Sequence, residues 1–130
     1  MVESIELSTV IPASAQRIYT VWLDSVEHGR LTGAKAEVDA RVGGKHTAWD
    51  GYIEGEILEL DPNRRIVQSW RSSDFPPESG DSRLEVLFEE SGIGTRITLR
   101  HTDIPEGQAL RYKKGWFDFY FEAMKEYFAA

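Results

Sequence analysis

Apolar and polar positions alternate along most of the first hundred residues, and the chain then changes to a helical repeat crowded with aromatic rings. From Ser4 to Ile11, the residues Ile5, Leu7 and Thr9 oppose Glu6, Ser8 and Val10, a period of two that predicts a strand. Pro12 cannot continue a central strand, and Ser14 is suited to cap a helix. Ile18, Val21 and Trp22 recur at helical spacing, which predicts a helix over 15–23. A second short helix is expected over 26–31, ending near Gly33. Strands are expected near 36–41, 44–50, 52–60, 64–72, 82–90 and 95–102. Turn chemistry divides them: Gly43-Gly44, Asp50-Gly51 as a type I′ hairpin signal, Asp61-Pro62-Asn63, and Ser91-Gly92-Ile93-Gly94. The polar stretch from Ser72 to Ser82, with Pro76-Pro77 and Gly80, predicts a longer loop. Links this short between consecutive strands require antiparallel pairing.

Pro105 opens the last element, a helix expected over 108–128. At ~100° per residue, Tyr112, Trp116, Phe117, Phe119, Tyr120, Phe121, Ala123, Met124, Tyr127 and Phe128 share one broad arc. Lys114, Asp118, Glu122, Lys125 and Glu126 fill the rest. Such a wide apolar face needs a wide partner, and a curved sheet supplies one. Periodicity alone gives an α+β protein with an antiparallel sheet. The element order goes further: a helix-grip fold, with a seven-stranded antiparallel sheet wrapped around the long C-terminal helix and two short helices between strands 1 and 2. The gap between sheet and helix is a natural place for an apolar ligand.

Composition narrows the function. The 130 residues are expected to form one domain, 1–130, and 41% hydrophobic content suffices for a core without staples. There is no cysteine, so disulfides, thiolate metal sites and cysteine nucleophiles are excluded. That composition fits a reducing compartment, and a cytoplasmic location is expected. A formal charge of −7 argues against nucleic-acid and membrane partners. The start, Met1-Val2-Glu3-Ser4, reads as no signal peptide, and no run has the ~18 apolar residues of a membrane helix.

The candidate chemistry is sparse. His101 alternates with Ile97 and Leu99 and should face the helix, and His46 shares a face with Ala48. Either the two imidazoles enter the cavity, where a ligand affinity varying between pH 5 and 8 would report them, or each caps a polar gap at the sheet edge. Gln68 and Trp70 share the face of Ile66 and are pocket candidates. Trp116 and Tyr120 are expected walls. Gly115 suggests a close approach of the helix backbone to a strand. His28, His46 and His101 are not at metal-ligand spacing, and neither a metal nor a cofactor is expected. No nucleophile elbow or phosphate loop occurs, and Glu54 and Glu56 read as a solvated strand face. No catalytic residue is assigned, and binding is favoured over catalysis.

Several pieces in this order resemble one family. They are Leu31-Thr32-Gly33-Ala34 with Ala36-Glu37-Val38-Asp39, Gly43-Gly44-Lys45, Asp50-Gly51 with Gly55, Pro62-Asn63, and Ile66-Val67-Gln68 with Trp70-Arg71. Gly94-Thr95-Arg96, Ile104-Pro105, Gly115-Trp116 and Tyr120-Phe121 complete the set. The chain resembles the C-terminal domain of the activator of heat-shock protein 90 ATPase, and the bacterial stand-alone proteins named after it, within the START and birch-allergen-like superfamily. The resemblance implies the helix-grip fold and three functions in order of preference. These are binding of a small apolar or amphipathic ligand, co-chaperone-like contact with a heat-shock protein 90 homologue, and cyclase- or hydrolase-type catalysis. Two departures stand out. His46 occupies a position where the family usually carries an aromatic residue. The separate N-terminal domain of the eukaryotic activator is not within these residues, which weakens the implied chaperone activation.

Overall fold

The computed structural model describes residues 2–129. The chain opens with β1 (Val2–Ile11), then α1 (Ala15–Leu23) and α2 (Ser25–Thr32). The strands β2 (Glu37–Val38), β3 (Lys45–Ala48), β4 (Ile53–Asp61), β5 (Arg65–Ser72), β6 (Ser82–Ser91) and β7 (Gly94–Pro105) follow. The last element begins as α3 (Ala109–Gly115), passes through a π-helical turn (Trp116–Phe121) and ends as α4 (Glu122–Tyr127). The strands form one antiparallel seven-stranded sheet in the order β1-β7-β6-β5-β4-β3-β2. This is the helix-grip arrangement that the pattern predicts.

Local chemistry explains the boundaries. The Ser14 side chain accepts from Arg17 N at 3.1 Å and caps α1. Asp24 caps α2 in the same way, from Glu27 N at 2.9 Å. The expected strand over 36–41 is reduced to two residues at the sheet edge. β3 stops at Ala48, earlier than expected, because Trp49 and Asp50 both take left-handed backbone, with φ of 55° and 58°. Asp50 and Gly51 hold the centre of a turn that Tyr52 N closes onto Trp49 O at 3.1 Å. Their positive φ values are those of the type I′ signal. The loop itself runs to four residues, since Ala48 pairs with Ile53.

The inner sheet face carries Leu7, Ile66, Leu84, Val86, Ile97 and Leu99, all buried against the helices. The outer face is charged. Glu6, Arg100, Glu85, Arg65 and Glu59 form successive ion pairs from β1 across to β4. Glu54 and Glu56 lie on this face too, paired in register with Arg71 and the strand end at Lys45.

The last helix departs from the simple arc. Phe117 and Phe119 are 41% and 57% exposed, although ideal periodicity places them with the core residues. The cause is the π turn. Tyr112, Trp116, Tyr120 and Met124 are all buried and are spaced by four residues. In an α-helix such a series drifts by roughly 120° over its length, at roughly 100° per residue. A single π turn takes up one extra residue, which cuts the drift to roughly 20°. The four side chains therefore stay in line on the sheet, and Phe117 and Phe119 are turned outward. Gly115 is also unlike the expectation. A Cβ there would meet only the Phe119 ring, at 3.9 Å, so no strand backbone approaches it.

Candidate functional site

A half-open cleft of about 350 Å³ lies between β4, β5 and the last helix. Its walls are Trp49, Tyr52, Ile53, Trp70, Tyr112, Trp116, Phe119 and Tyr120, with Gly115 and Arg111 completing the lining. The volume is in the range of small-ligand sites. The rings interlock around it. Trp116 lies 4.8 Å from Tyr120 and 5.9 Å from Trp70, and Trp70 lies 4.9 Å from Tyr112, centroid to centroid. Trp49 projects from its left-handed turn to meet Phe119 at 5.5 Å and Tyr120 at 6.3 Å, forming the rim.

The polar residues expected in the pocket lie behind these walls, each held in a hydrogen-bonded chain. In the first, Trp116 Nε1 donates to His101 Nδ1 at 3.2 Å, so the other ring nitrogen carries the proton. His101 Nε2 then donates to Ser82 Oγ at 2.8 Å, and Ser82 donates to Trp70 O at 2.6 Å. In the second chain, Trp22 Nε1 donates to Gln68 Oε1 at 3.1 Å. The Gln68 amide nitrogen faces His46 Nδ1 at 3.4 Å, and His46 Nε2 donates to Ser69 O at 2.7 Å. The carbonyl fixes the tautomer, because it can only accept. In the third, His28 Nδ1 donates to Trp22 O at 2.8 Å and Nε2 accepts from the Tyr120 hydroxyl at 2.9 Å.

Gly55 makes the second chain possible. His46, on β3, reaches its β5 acceptor by lying across β4 at this residue. A Cβ on Gly55 would come 2.0 Å from Ser69 O and 2.5 Å from His46 Nε2. The β4 backbone compensates by donating from Glu56 N to Ser69 Oγ at 2.9 Å.

Burial disfavours the charged form of all three imidazoles and lowers their pKa values, for His101 to about 3. They are neutral, satisfied core groups at neutral pH. Burial also raises Tyr112 to about 12 and pushes Tyr120 upward. Among the described residues, no buried side-chain nitrogen or oxygen lacks a partner.

The cleft thus brings together three of the six expected site residues, Trp70, Trp116 and Tyr120. His46 and Gln68 line a separate gap of only about 10 Å³, hardly room for one water. His101 lies behind Trp70 and Trp116, in the interior and not at a sheet edge. Sequence reasoning did not single out Trp49, Tyr52, Arg111 or Phe119 as lining, nor His28 as the partner of Tyr120. The turn at Asp50-Gly51 was the available signal for Trp49 and Tyr52, since a turn beside a pocket presents its flanking rings.

A helix-grip protein with an aromatic cleft between sheet and helix is the class these features define. Comparison with known proteins then gives the family. The profile described as "Activator of Hsp90 ATPase homolog 1-like protein" matches residues 12–129, and the chain belongs to that family. The human activator of 90 kDa heat shock protein ATPase homolog 1 is 29% identical over 124 residues, covering 95% of this chain and 36% of the human protein. The mouse homolog 2 is 25% identical, covering 94% of this chain and 37% of its own length. The chain thus spans little more than a third of these curated relatives. A solved structure described as an HSP90 activator from Plasmodium falciparum superposes with a TM-score of 0.88 at 26% identity, covering 95% of this chain and 94% of that one. CalU16 from Micromonospora echinospora shares the fold, with a TM-score of 0.81 at 24% identity over 97% of this chain and 74% of its own. No helix among the described residues is long and apolar enough to cross a membrane.

Proposed function

We propose that this protein binds a small, mostly apolar molecule in the cleft between the sheet and the last helix. One observation carries the reading: the protein's own side chains leave about 350 Å³ unfilled between aromatic walls. Protein interiors are otherwise close-packed, and an apolar hollow of this size forgoes contact energy unless something occupies it. Trp70, Trp116 and Tyr120 are the wall residues of the proposal. His101 supports it from behind by holding the Trp116 N–H, and His28 by holding the Tyr120 hydroxyl. Gln68, backed by His46, holds the Trp22 indole that packs on both of those rings. No catalytic residue is assigned.

Gly115 supplies the test. It lines the cleft and has open space beside it, so Gly115→Leu should fold and fill the hollow. Fatty acids and flavonoids titrated into the natural protein should give saturable shifts in tryptophan fluorescence and in amides of β4, β5 and the last helix. The leucine variant should lose them. If both proteins respond alike, or neither responds, the cleft is not the binding site.

A second reading has its own support. The human and Plasmodium relatives are described as activators of the 90 kDa heat-shock protein. The Plasmodium chain, described as an HSP90 activator, is matched almost end to end by this one. Contact with a heat-shock protein 90 homologue would use the outer surface. Amide shifts on the charged sheet face or on exposed Leu110 and Phe117, unchanged by Gly115→Leu, would support that contact independently of the cleft.

A further inference from the structure

We propose that the cleft selects organic anions: an aromatic or alkyl body lies among the rings, and one carboxylate at the mouth is held by Arg111. The inference rests on the cleft reading above and specifies its ligand.

The polar groups of the lining decide it. The Tyr120 hydroxyl is committed to His28, the Trp116 N–H to His101, and the Tyr112 hydroxyl to Gln108 Oε1 at 2.6 Å. The Tyr52 hydroxyl donates to Asp74 Oδ2 at 2.6 Å. Two donors remain. The Trp70 indole N–H finds no acceptor among the described residues, and since none of their buried side-chain nitrogens is unpaired, it is not sealed in the interior. The Arg111 guanidinium uses one nitrogen, Nη1, to reach Asp74 Oδ2 at 2.8 Å. No carboxylate is among the lining residues. A lining whose uncommitted side-chain nitrogens all donate, with no carboxylate beside them, is matched by a ligand whose polar atoms accept.

Arg111 is built for the exchange. Its guanidinium sits 5.6 Å from the centre of the Tyr112 ring, at the edge of the hollow. Its side chain is 52% exposed and that of Asp74 is 48% exposed, so the pair between them is weak and one carboxylate can replace another. A guanidinium also takes a carboxylate with two parallel N–H bonds, which Asp74 does not use. Asp74 keeps its bond from Tyr52 after the exchange. The same rings would also suit a quaternary ammonium, but a cation in the cleft would meet Arg111.

The probes are three naphthalenes of one shape: naphthalene-2-carboxylate, 2-naphthylmethanol and (2-naphthyl)trimethylammonium. Calorimetry and amide shifts measure their affinities. The carboxylate should bind about five- to tenfold more tightly than the alcohol, as one charge-assisted contact allows. Arg111→Gln should erase that difference by weakening the carboxylate. Asp74→Asn should widen the difference, because it removes the internal competitor. Both sites are exposed, and thermal unfolding checks that the variants fold. Equal affinities in the natural protein, a preference for the ammonium, or a difference that survives Arg111→Gln would each overturn the anion proposal while leaving the cleft reading intact. If none of the three binds and fatty acids and flavonoids also fail, the cleft reading itself is lost, and this proposal with it.

Discussion

His46 lies across β4 only because position 55 has no side chain, and that gap is a sharp test of the core. Gly55→Ala must displace the imidazole or the Ser69 carbonyl, leaving a buried polar group without its partner. The loss of a buried hydrogen bond costs ~1–3 kcal/mol, and strain adds to it. Urea unfolding should therefore show Gly55→Ala destabilised by more than ~2 kcal/mol; a smaller loss would mean that His46 has another resting place. The neutral histidines also set the acid side of the stability curve. Their folded pKa values lie below the unfolded value, so the unfolded chain binds more protons in that range. Stability is full above roughly pH 6.5 and falls with pH from there toward about 3, the folded value of His101. His101 alone should remove about 2 kcal/mol by pH 5. Equilibrium unfolding at pH 7 and pH 5 measures it, and His101→Gln should flatten the slope. By the same token, ligand affinity carried by the cleft should not vary with histidine titration above pH 6. That the two imidazoles face inward was legible from their alternation with Ile97, Leu99 and Ala48. Their partners were not, because Ser69, Ser82, Trp22 and Trp116 are distant in sequence and no local pattern links them.

The same limit acts on the elements. Antiparallel pairing of consecutive strands from β2 to β7 followed from the links and turn residues, whereas the place of β1 beside β7 has no local signal. The caps at Ser14 and Gly33 marked helix ends. The last helix was legible in length but not in phase. A count at ~100° per residue assigns Phe117 and Phe119 to the core, because a π turn leaves no mark that periodicity alone detects. The four-residue spacing from Tyr112 to Met124 is consistent with a π turn but was not decisive beforehand. It leads to an unusual prediction. Deleting Asp118, an exposed residue within the turn, should convert it to ordinary α-helix and still leave Trp116, Tyr120 and Met124 facing the sheet. The deletion variant should unfold cooperatively and keep its helical circular dichroism, while the cleft changes shape. A non-cooperative transition would show that the π turn is required for folding. Gly115 belongs to this scale as well. Gly115→Ala should raise stability by ~0.5–1 kcal/mol, since glycine in a helix is unfavourable and the added Cβ has room.

Across the molecule, sheet and helix are each other's core. Removing everything after Pro105 would expose Ile66, Leu84, Val86, Ile97 and Leu99 together on one sheet face. The truncated chain should be unfolded or molten, seen as a broad thermal transition with binding of a hydrophobic dye; a sharp transition would show that the sheet stands alone. Trp116 is the anchor of that contact, 3% exposed, and Trp116→Ala should cost ~3–5 kcal/mol. The existence of a pocket was legible from the width of the aromatic face. Its lining was legible in Trp70, Trp116 and Tyr120 but not in Trp49, Tyr52, Arg111 and Phe119, which come from a turn and a rim where side-chain direction depends on backbone that periodicity does not describe.

The two sides of the cleft differ in how firmly they are held. The Trp116 and Tyr120 side chains each end on a hydrogen-bonded histidine, and the Trp70 ring packs edge-on against His101 at 4.6 Å. Phe119 is largely exposed, and Trp49 stands on a backbone conformation that bulky residues rarely adopt. Discrimination should follow that division. Among related molecules, a methyl group added to the end that enters the floor should be rejected, and the same methyl at the mouth should be tolerated. Such a site enforces shape at one end of its ligand and remains permissive at the other, so it serves a class of compounds with a common head and varied tails.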